Sequence, residues 1–157
     1  MLKHRPLLRI AFLFGLWVLP LTMAPPAVTA AEKFRWESLA IITGGGEHAF
    51  RVEIAETPSQ RAQGLQHRQD LDSDAGMLFF FPIVEPVVMW MKNTYVPLDM
   101  LFIAADGKVL NIARQTQPHS LASITSGPVR GVLELRAGTA ARLGIKAGDV
   151  VRHPKFQ

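Results

Sequence analysis

Ten residues in the middle of the chain, Trp90 to Asp99 (WMKNTYVPLD), carry an indole ring, an ammonium, an amide, a hydroxyl and a carboxylate. Side chains alternate along a strand, so Trp90 and Lys92 share one side while Met89 and Met91 take the other. Asp99 follows a turn that holds Asn93, Thr94 and Pro97, which lets Lys92 and Asp99 face each other across the connection. Such a set can bind a small polar or glycan-like ligand, the ring stacking on its apolar face and the polar groups hydrogen bonding. The same residues also fit a structural clamp. Trp90 then packs in the core, Asn93 and Thr94 satisfy turn backbone, and Lys92–Asp99 is an ordinary ion pair. The sequence leaves both readings open.

Two further candidates lie outside that segment. Glu134 sits in GVLEL, where alternation puts Gly131, Leu133 and Leu135 on one face and Val132, Glu134 and Arg136 on the other. Glu134 therefore faces solvent or a cleft, and with Asp99 it could form a general acid/base pair. Arg61 lies on a capped helix and could grip a ligand carboxylate with its two-pronged guanidinium. Its structural alternatives are a solvated helix face or a pair with Asp70 or Asp72.

Other arrangements fail on spacing. Asp70-x-Asp72-x-Asp74 resembles the start of a calcium loop, but the sixth and twelfth positions hold Ala75 and Phe81 where Gly and Glu are needed. His48, His67, His119 and His153 have no metal-ligand spacing, so no metal and no cofactor is expected. A Ser-His-Asp set from Ser120 or Ser126, His119 and Asp99 lacks a nucleophile elbow. With no cysteine in the chain, thiol catalysis, cysteine zinc sites and a disulfide scaffold are excluded.

The first thirty residues read as an export segment. Lys3, Arg5 and Arg9 precede an apolar run from Ile10 to Leu21, and APPAVTA ends in small residues that place a cleavage between Ala30 and Ala31. The apolar run is too short to span a bilayer, which needs about 20 residues. No stable membrane insertion is expected after cleavage, and the expected destination is the periplasm or the exterior by the general secretory route. Three of the 17 basic residues and none of the 13 acidic ones fall in this segment. The remainder carries 14 and 13, a net charge of +1, with no Lys/Arg run to track phosphates, so nucleic acid is not an expected partner.

The remaining 127 residues suit one domain, with a short linker over 31–37 and a folded region over 38–157. SLAIIT (38–43) and HAFRVEIA (48–55) predict a hairpin turned by Gly44-Gly45-Gly46-Glu47. Thr57, Pro58 and Gln60 predict a capped helix from Pro58. GMLFFF (76–81), closed by Pro82, predicts a buried strand, and VVMWM (87–91), PLDMLFIA (97–104), KVLNIA (108–113), VLEL (132–135) and Val150-Val151 predict others. Asp106-Gly107 predicts a hairpin turn, residues 114–130 a long loop, and Thr139–Leu143 a short helix. The expected fold is mainly β (α+β): a compact antiparallel, barrel-like sheet with two short helices.

Several of these pieces together resemble one known family. Arg61, Gly64-Leu65, Arg68, Leu71, Gly76-Met77-Leu78-Phe79, Trp90-Met91-Lys92-Asn93-Thr94, Pro97-Leu98-Asp99, Glu134-Leu135, Gly138 and Gly148-Asp149 stand in its order. The chain resembles the prokaryotic family catalogued as domain of unknown function 192, over about residues 38–153. Two positions depart from its pattern. Gln66 stands where the family usually has Met, and Met89 where it often has Phe, both read as changes in apolar packing. The resemblance implies a small β-rich domain with short helices and brings no established activity. The expected function is a non-catalytic binding or accessory module for a small polar or glycan-like ligand. The alternatives are a carboxylate-based hydrolase or lyase acting on a cell-envelope substrate, and an interaction module without a small ligand.

Overall fold

The computed structural model describes residues 33–156. The chain divides into two units, Met1–Ala30 and Ala31–Gln157, and the description below concerns the second. The export segment read at residues 1–30 lies outside the described residues.

Seven strands form one mixed sheet in the order β5-β4-β6-β3-β2-β1-β7. They are β1 (Arg35–Thr43), β2 (Gly46–Ala55), β3 (Ala75–Met89), β4 (Leu98–Ile103), β5 (Val109–Thr116), β6 (Ile124–Arg136) and β7 (Val150–Arg152). An antiparallel bridge between Lys108 and Val150 ties the start of β5 to β7, so the sheet curls into a half-barrel. The helices are α1 (Pro58–Gln63) and α2 (Thr139–Arg142), and a 3-10 turn spans Pro154–Phe156. Among the described residues no helix is long and apolar enough to cross a membrane.

The expected mainly β class holds, with one departure from antiparallel order: β2 and β3 pair in parallel. The connection between them carries α1, as parallel neighbours require a crossover. The β1–β2 hairpin forms with Thr43 paired to Gly46, and the Thr43 hydroxyl caps the turn by accepting from the Gly45 amide at 3.1 Å. α1 starts in the predicted capping box. The Thr57 hydroxyl accepts from the Gln60 amide, and the Gln60 side chain accepts from the Thr57 amide, each at 3.1 Å.

The expected linker over 31–37 is partly strand, since β1 starts at Arg35 and pairs there with Ile54 of β2, and other boundaries differ as well. Pro82 does not end a strand: GMLFFF and the first three residues of VVMWM belong to one strand, β3, which stops at Met89 and whose pairing to β6 breaks after Phe80 and resumes at Glu85. Proline is tolerated there because the residues between have no ladder partner. Arg130 braces the bulge by donating from Nη1 to the Pro82 carbonyl at 2.6 Å. The predicted loop over 114–130 is largely strand as well, since β5 runs to Thr116 and β6 starts at Ile124. Pro128 stands opposite Pro86, so each proline's missing donor falls beside the other rather than in an intact ladder.

Two apolar clusters occupy the two faces of the sheet. One draws from every strand and includes Ile41, Val52, Leu78, Leu101, Val109, Leu135 and Val151, with Phe156 of the terminal turn. The other uses the outward face of β3, β4 and β6 through Met77, Phe79, Met100, Phe102 and Val132, covered by Leu65, Leu71, Met91 and Val96. The segments that cover this second face form the walls of the candidate site.

Candidate functional site

The site begins with a glycine. Gly64 ends α1 at φ 48°, a left-handed value that favours glycine. A Cβ placed there would meet the Phe79 ring at 3.1 Å. This close approach lays residues 62–66 flat against β3. The Trp90–Pro97 segment then packs beside them, tied by backbone bonds from the His67 amide to the Asn93 carbonyl (2.8 Å) and from the His119 amide to the Thr94 carbonyl (3.2 Å). His67, Asn93 and His119 all have positive φ, at 64°, 56° and 61°. Left-handed non-glycine residues cost free energy and persist where the surroundings fix them, commonly around sites.

Between these walls lies a narrow pocket, open to solvent at one side and lined in part by Arg61, Gln63, Gln66, Trp90, Thr94 and Glu134. Its volume is about 30 Å³, room for one small functional group. A shallower groove shares Arg61, Ala62, Phe79 and Met89 with it and continues along Phe81 and Val88.

Glu134 forms the pocket's floor. It is 3% exposed, with Met77 and Met100 as its cross-strand neighbours. No ion pair or hydrogen bond joins its carboxyl to another described residue. Burial alone pushes its pKa up to about 8, so at neutral pH the group is mostly a protonated acid that can donate. Arg61 stands on the wall without an acidic partner among the described residues. Its Nη1 donates to the carbonyls of Glu56 (2.5 Å) and Phe80 (3.1 Å), and its guanidinium lies 5.3 Å from the centre of the Phe81 ring. Neither a pair with Asp70 or Asp72 nor a free helix face describes it. Trp90 is 54% exposed, so it does not pack in the core, and Lys92 Nζ sits 5.9 Å from its ring centroid. The ring and the ammonium do lie together, but β3 stops at Met89, so it is the turn after the strand and not strand alternation that places them.

The structure separates Asp99 and Asn93 from this pocket and leaves Thr94 in its lining. Asp99 is 1% exposed, and both its oxygens are used: Oδ1 accepts from the Gln115 amide at 2.9 Å, Oδ2 from the Ala140 amide at 2.8 Å. It makes no ion pair with Lys92. Asp99 pairs with Leu135 and Met100 with Glu134, so Asp99 and Glu134 point to opposite faces of the sheet. An acid/base pair of the two is thereby lost. Asn93 donates to Gln66 Oε1 at 3.2 Å and holds the wall rather than the pocket. Thr94 is buried, with its hydroxyl 3.4 Å from the Lys92 carbonyl. Arg68 pairs with Glu53 at 2.5 Å. Among the described residues no cluster of three or more His, Asp or Glu could hold a metal.

Sequence reasoning missed Gln63, Gln66 and Met89 as lining residues. Gln66 and Met89 are the two departures from the family pattern. Both line the pocket, so the departures alter its wall and not merely local packing. Their coincidence at one site was the available signal.

The comparisons agree with this architecture. Among curated proteins, none matches the chain. A solved structure from Sinorhizobium meliloti, named as a candidate transcription regulator, is 50% identical with a TM-score of 0.75, covering 77% of this chain and 95% of its own. A protein of unknown function from Novosphingobium aromaticivorans is 37% identical with a TM-score of 0.76, covering 83% of this chain and 94% of its own. The model of the family DUF192, described as Uncharacterized ACR, matches residues 40–153. The chain belongs to that family.

Proposed function

We propose that this chain is an exported, non-catalytic binding or accessory domain that holds a small polar ligand in the pocket floored by Glu134. The observation that carries the reading is a buried carboxyl without a partner, aimed into a pocket. A buried polar group left unsatisfied costs about 1–3 kcal/mol, and a ligand that hydrogen bonds to it would offset that cost. Trp90 at the rim offers an apolar face to stack on, and Gln63, Gln66 and Thr94 offer amide and hydroxyl groups. Glycan-like ligands fit this chemistry through one hydroxyl or acetamido group entering the narrow part.

The hydrolase or lyase alternative has lost its geometry, because Asp99 and Glu134 face opposite sides of the sheet. The regulator name of the Sinorhizobium protein is not supported as a nucleic-acid function here. α1 and α2 have six and four residues, too short to fill a major groove, and the folded region is nearly neutral. Export rests on the composition of residues 1–30, and N-terminal sequencing of the protein recovered from an exporting host tests it, Ala31 being the expected first residue.

Binding is tested by thermal shift of that protein with N-acetylated sugars, free sugars and small carboxylic acids. At least one class should raise the midpoint, and Trp90→Ala and Glu134→Ala should each remove the shift while leaving a cooperative transition. A shift that survives both substitutions would place the ligand elsewhere and end this reading.

A further inference from the structure

Within the binding reading, the lining of the pocket narrows the ligand class. Arg61 is a cation on the wall whose contacts are two backbone carbonyls and a ring, with no acid among them. Lys92 adds a second cation beside Trp90 at the rim. Glu134 is the one acid in the lining, and it is buried, unpaired and flanked by two methionines. An ionised Glu134 could have taken Arg61 from the same lining as its partner, yet the two do not pair.

We infer that the pocket takes a carboxylate, the acidic end of a small ligand held between the Arg61 guanidinium and the Glu134 carboxyl, with Glu134 acting as hydrogen-bond donor. The arrangement is chemically complete. Arg61 supplies the opposite charge, and its remaining donors suit two carboxylate oxygens. Protonated Glu134 donates to one of those oxygens, an interaction that an ionised glutamate would turn into repulsion. The narrow pocket has space for a group of carboxylate size and little more.

Binding is therefore linked to a proton. Other ionised groups on the same sheet face are already paired, Glu53 with Arg68 and Arg136 with Asp70. On β3 and β4 the cross-strand partners of Glu134 are methionines and Phe79 shares its pocket lining, none of them charged, and the 90–94 segment presents Thr94 and Trp90 to the pocket, with Lys92 beside the ring. Glu134 is thus the group whose titration the affinity should follow. Its protonated form prevails below about pH 8. Above that, each further pH unit should weaken carboxylate binding about tenfold.

The test is an NMR titration of the purified protein, read at the Trp90 indole N–H, with acetate, acetamide, glucose and ethylammonium as probes at pH 6, 7 and 9. Acetate is expected to move the resonance at pH 6 and 7 and to bind at least fivefold more weakly at pH 9. Glu134→Gln keeps a donor that does not titrate, so acetate binding should persist in that variant and lose its pH dependence. Arg61→Gln should weaken acetate at every pH without changing the slope. If acetamide or glucose binds as well as acetate, the carboxylate inference fails while the pocket remains a binding site. If ethylammonium binds best and more tightly at pH 9, the inference fails in the opposite direction. Should no probe move the resonance, both the inference and the binding reading fall.

Discussion

Asp99 of β4 and Glu134 of β6 lie one register step apart on hydrogen-bonded strands and point to opposite faces of the sheet. Their surroundings differ as their directions do. Asp99 is a clamp that ties β5 and α2 to β4 through two backbone amides, whereas Glu134 has no partner and faces a pocket. Removing each should therefore produce opposite phenotypes. Asp99→Ala leaves the buried Ala140 amide and the part-buried Gln115 amide without acceptors, and a fully buried one costs about 1–3 kcal/mol. We expect urea denaturation to show a loss of about 2–5 kcal/mol with little specific effect on ligand binding at temperatures where the variant is folded. A stable Asp99→Ala protein that has lost binding would return Asp99 to the site.

Glu134 gives the stability of the domain a pH dependence of its own. Its folded-state pKa, about 8, is above the ordinary glutamate value, so the native state holds a proton that the unfolded chain has released. Stability from this group is fully present below the unfolded value, near pH 4.5, and is lost as pH rises towards 8. At about 1.4 kcal/mol per unit, the loss across that window is on the order of 4–5 kcal/mol. Glu134→Gln cannot ionise. The variant should match the natural protein in urea midpoint at pH 5 and exceed it at pH 8 to 9. Equal midpoints at every pH would show that the carboxyl is solvated in the folded state.

Local chemistry explains how much of this was legible in the sequence. The capping box at Thr57–Gln60 and the glycine hairpin were readable because each is made by residues within four positions of one another. Alternation correctly put Glu134 on the face opposite Leu133 and Leu135. It could not register β6 against β4, so it could not separate Glu134 from Asp99. Pro82 reads as a strand end because a sequence does not show that the residues around it bulge free of β6. The proximity of Arg61, Gln66 and Trp90 arises from a long-range crossover between β2 and β3, a separation no local pattern encodes. The clamp reading expects a Lys92–Asp99 ion pair, turn-backbone bonds from Asn93 and a core Trp90, whereas Asp99 accepts from two distant backbone amides, Asn93 bonds the Gln66 side chain and Trp90 is exposed.

Gly64 sets the pocket wall and should not tolerate a side chain. Alanine at φ 48° is strained, and its Cβ would stand 3.1 Å from Phe79 Cζ and 3.3 Å from Cε1. The ring is itself part of the lining, so it cannot yield without reshaping the pocket. Gly64→Ala should cost about 1–3 kcal/mol and weaken any ligand of the pocket. Gly127→Ala serves as the control, since a Cβ added there would meet nothing within 4 Å and its φ is not positive. Thermal denaturation of the two variants side by side should show a clear drop for the first and a change within about 0.5 kcal/mol for the second.

His153 carries a second pH response. His153 is 2% exposed and precedes the terminal turn whose Phe156 is buried against the inner cluster. Its Nδ1 accepts from the Lys155 amide at 3.3 Å, while Nε2 lies 2.8 Å from Glu37 Oε2. That pattern requires a neutral ring with its proton on Nε2. Burial lowers the His153 pKa, and the attraction of Glu37 offsets this only in part. With the folded value below the unfolded one, stability from this group is present above about pH 6.5 and is lost as pH falls through the folded value. Protonation at Nδ1 would also set two N–H groups against each other and open the turn. We expect the Lys155 and Phe156 amides to lose hydrogen-exchange protection as pH drops from 7 to 5, ahead of amides in β3 and β6. His153→Asn keeps an acceptor near the Nδ1 position without a titrating ring, so the same amides should stay protected across that range. Protection that is unchanged by pH in the natural protein would mean that the ring never gains its second proton before the whole domain unfolds.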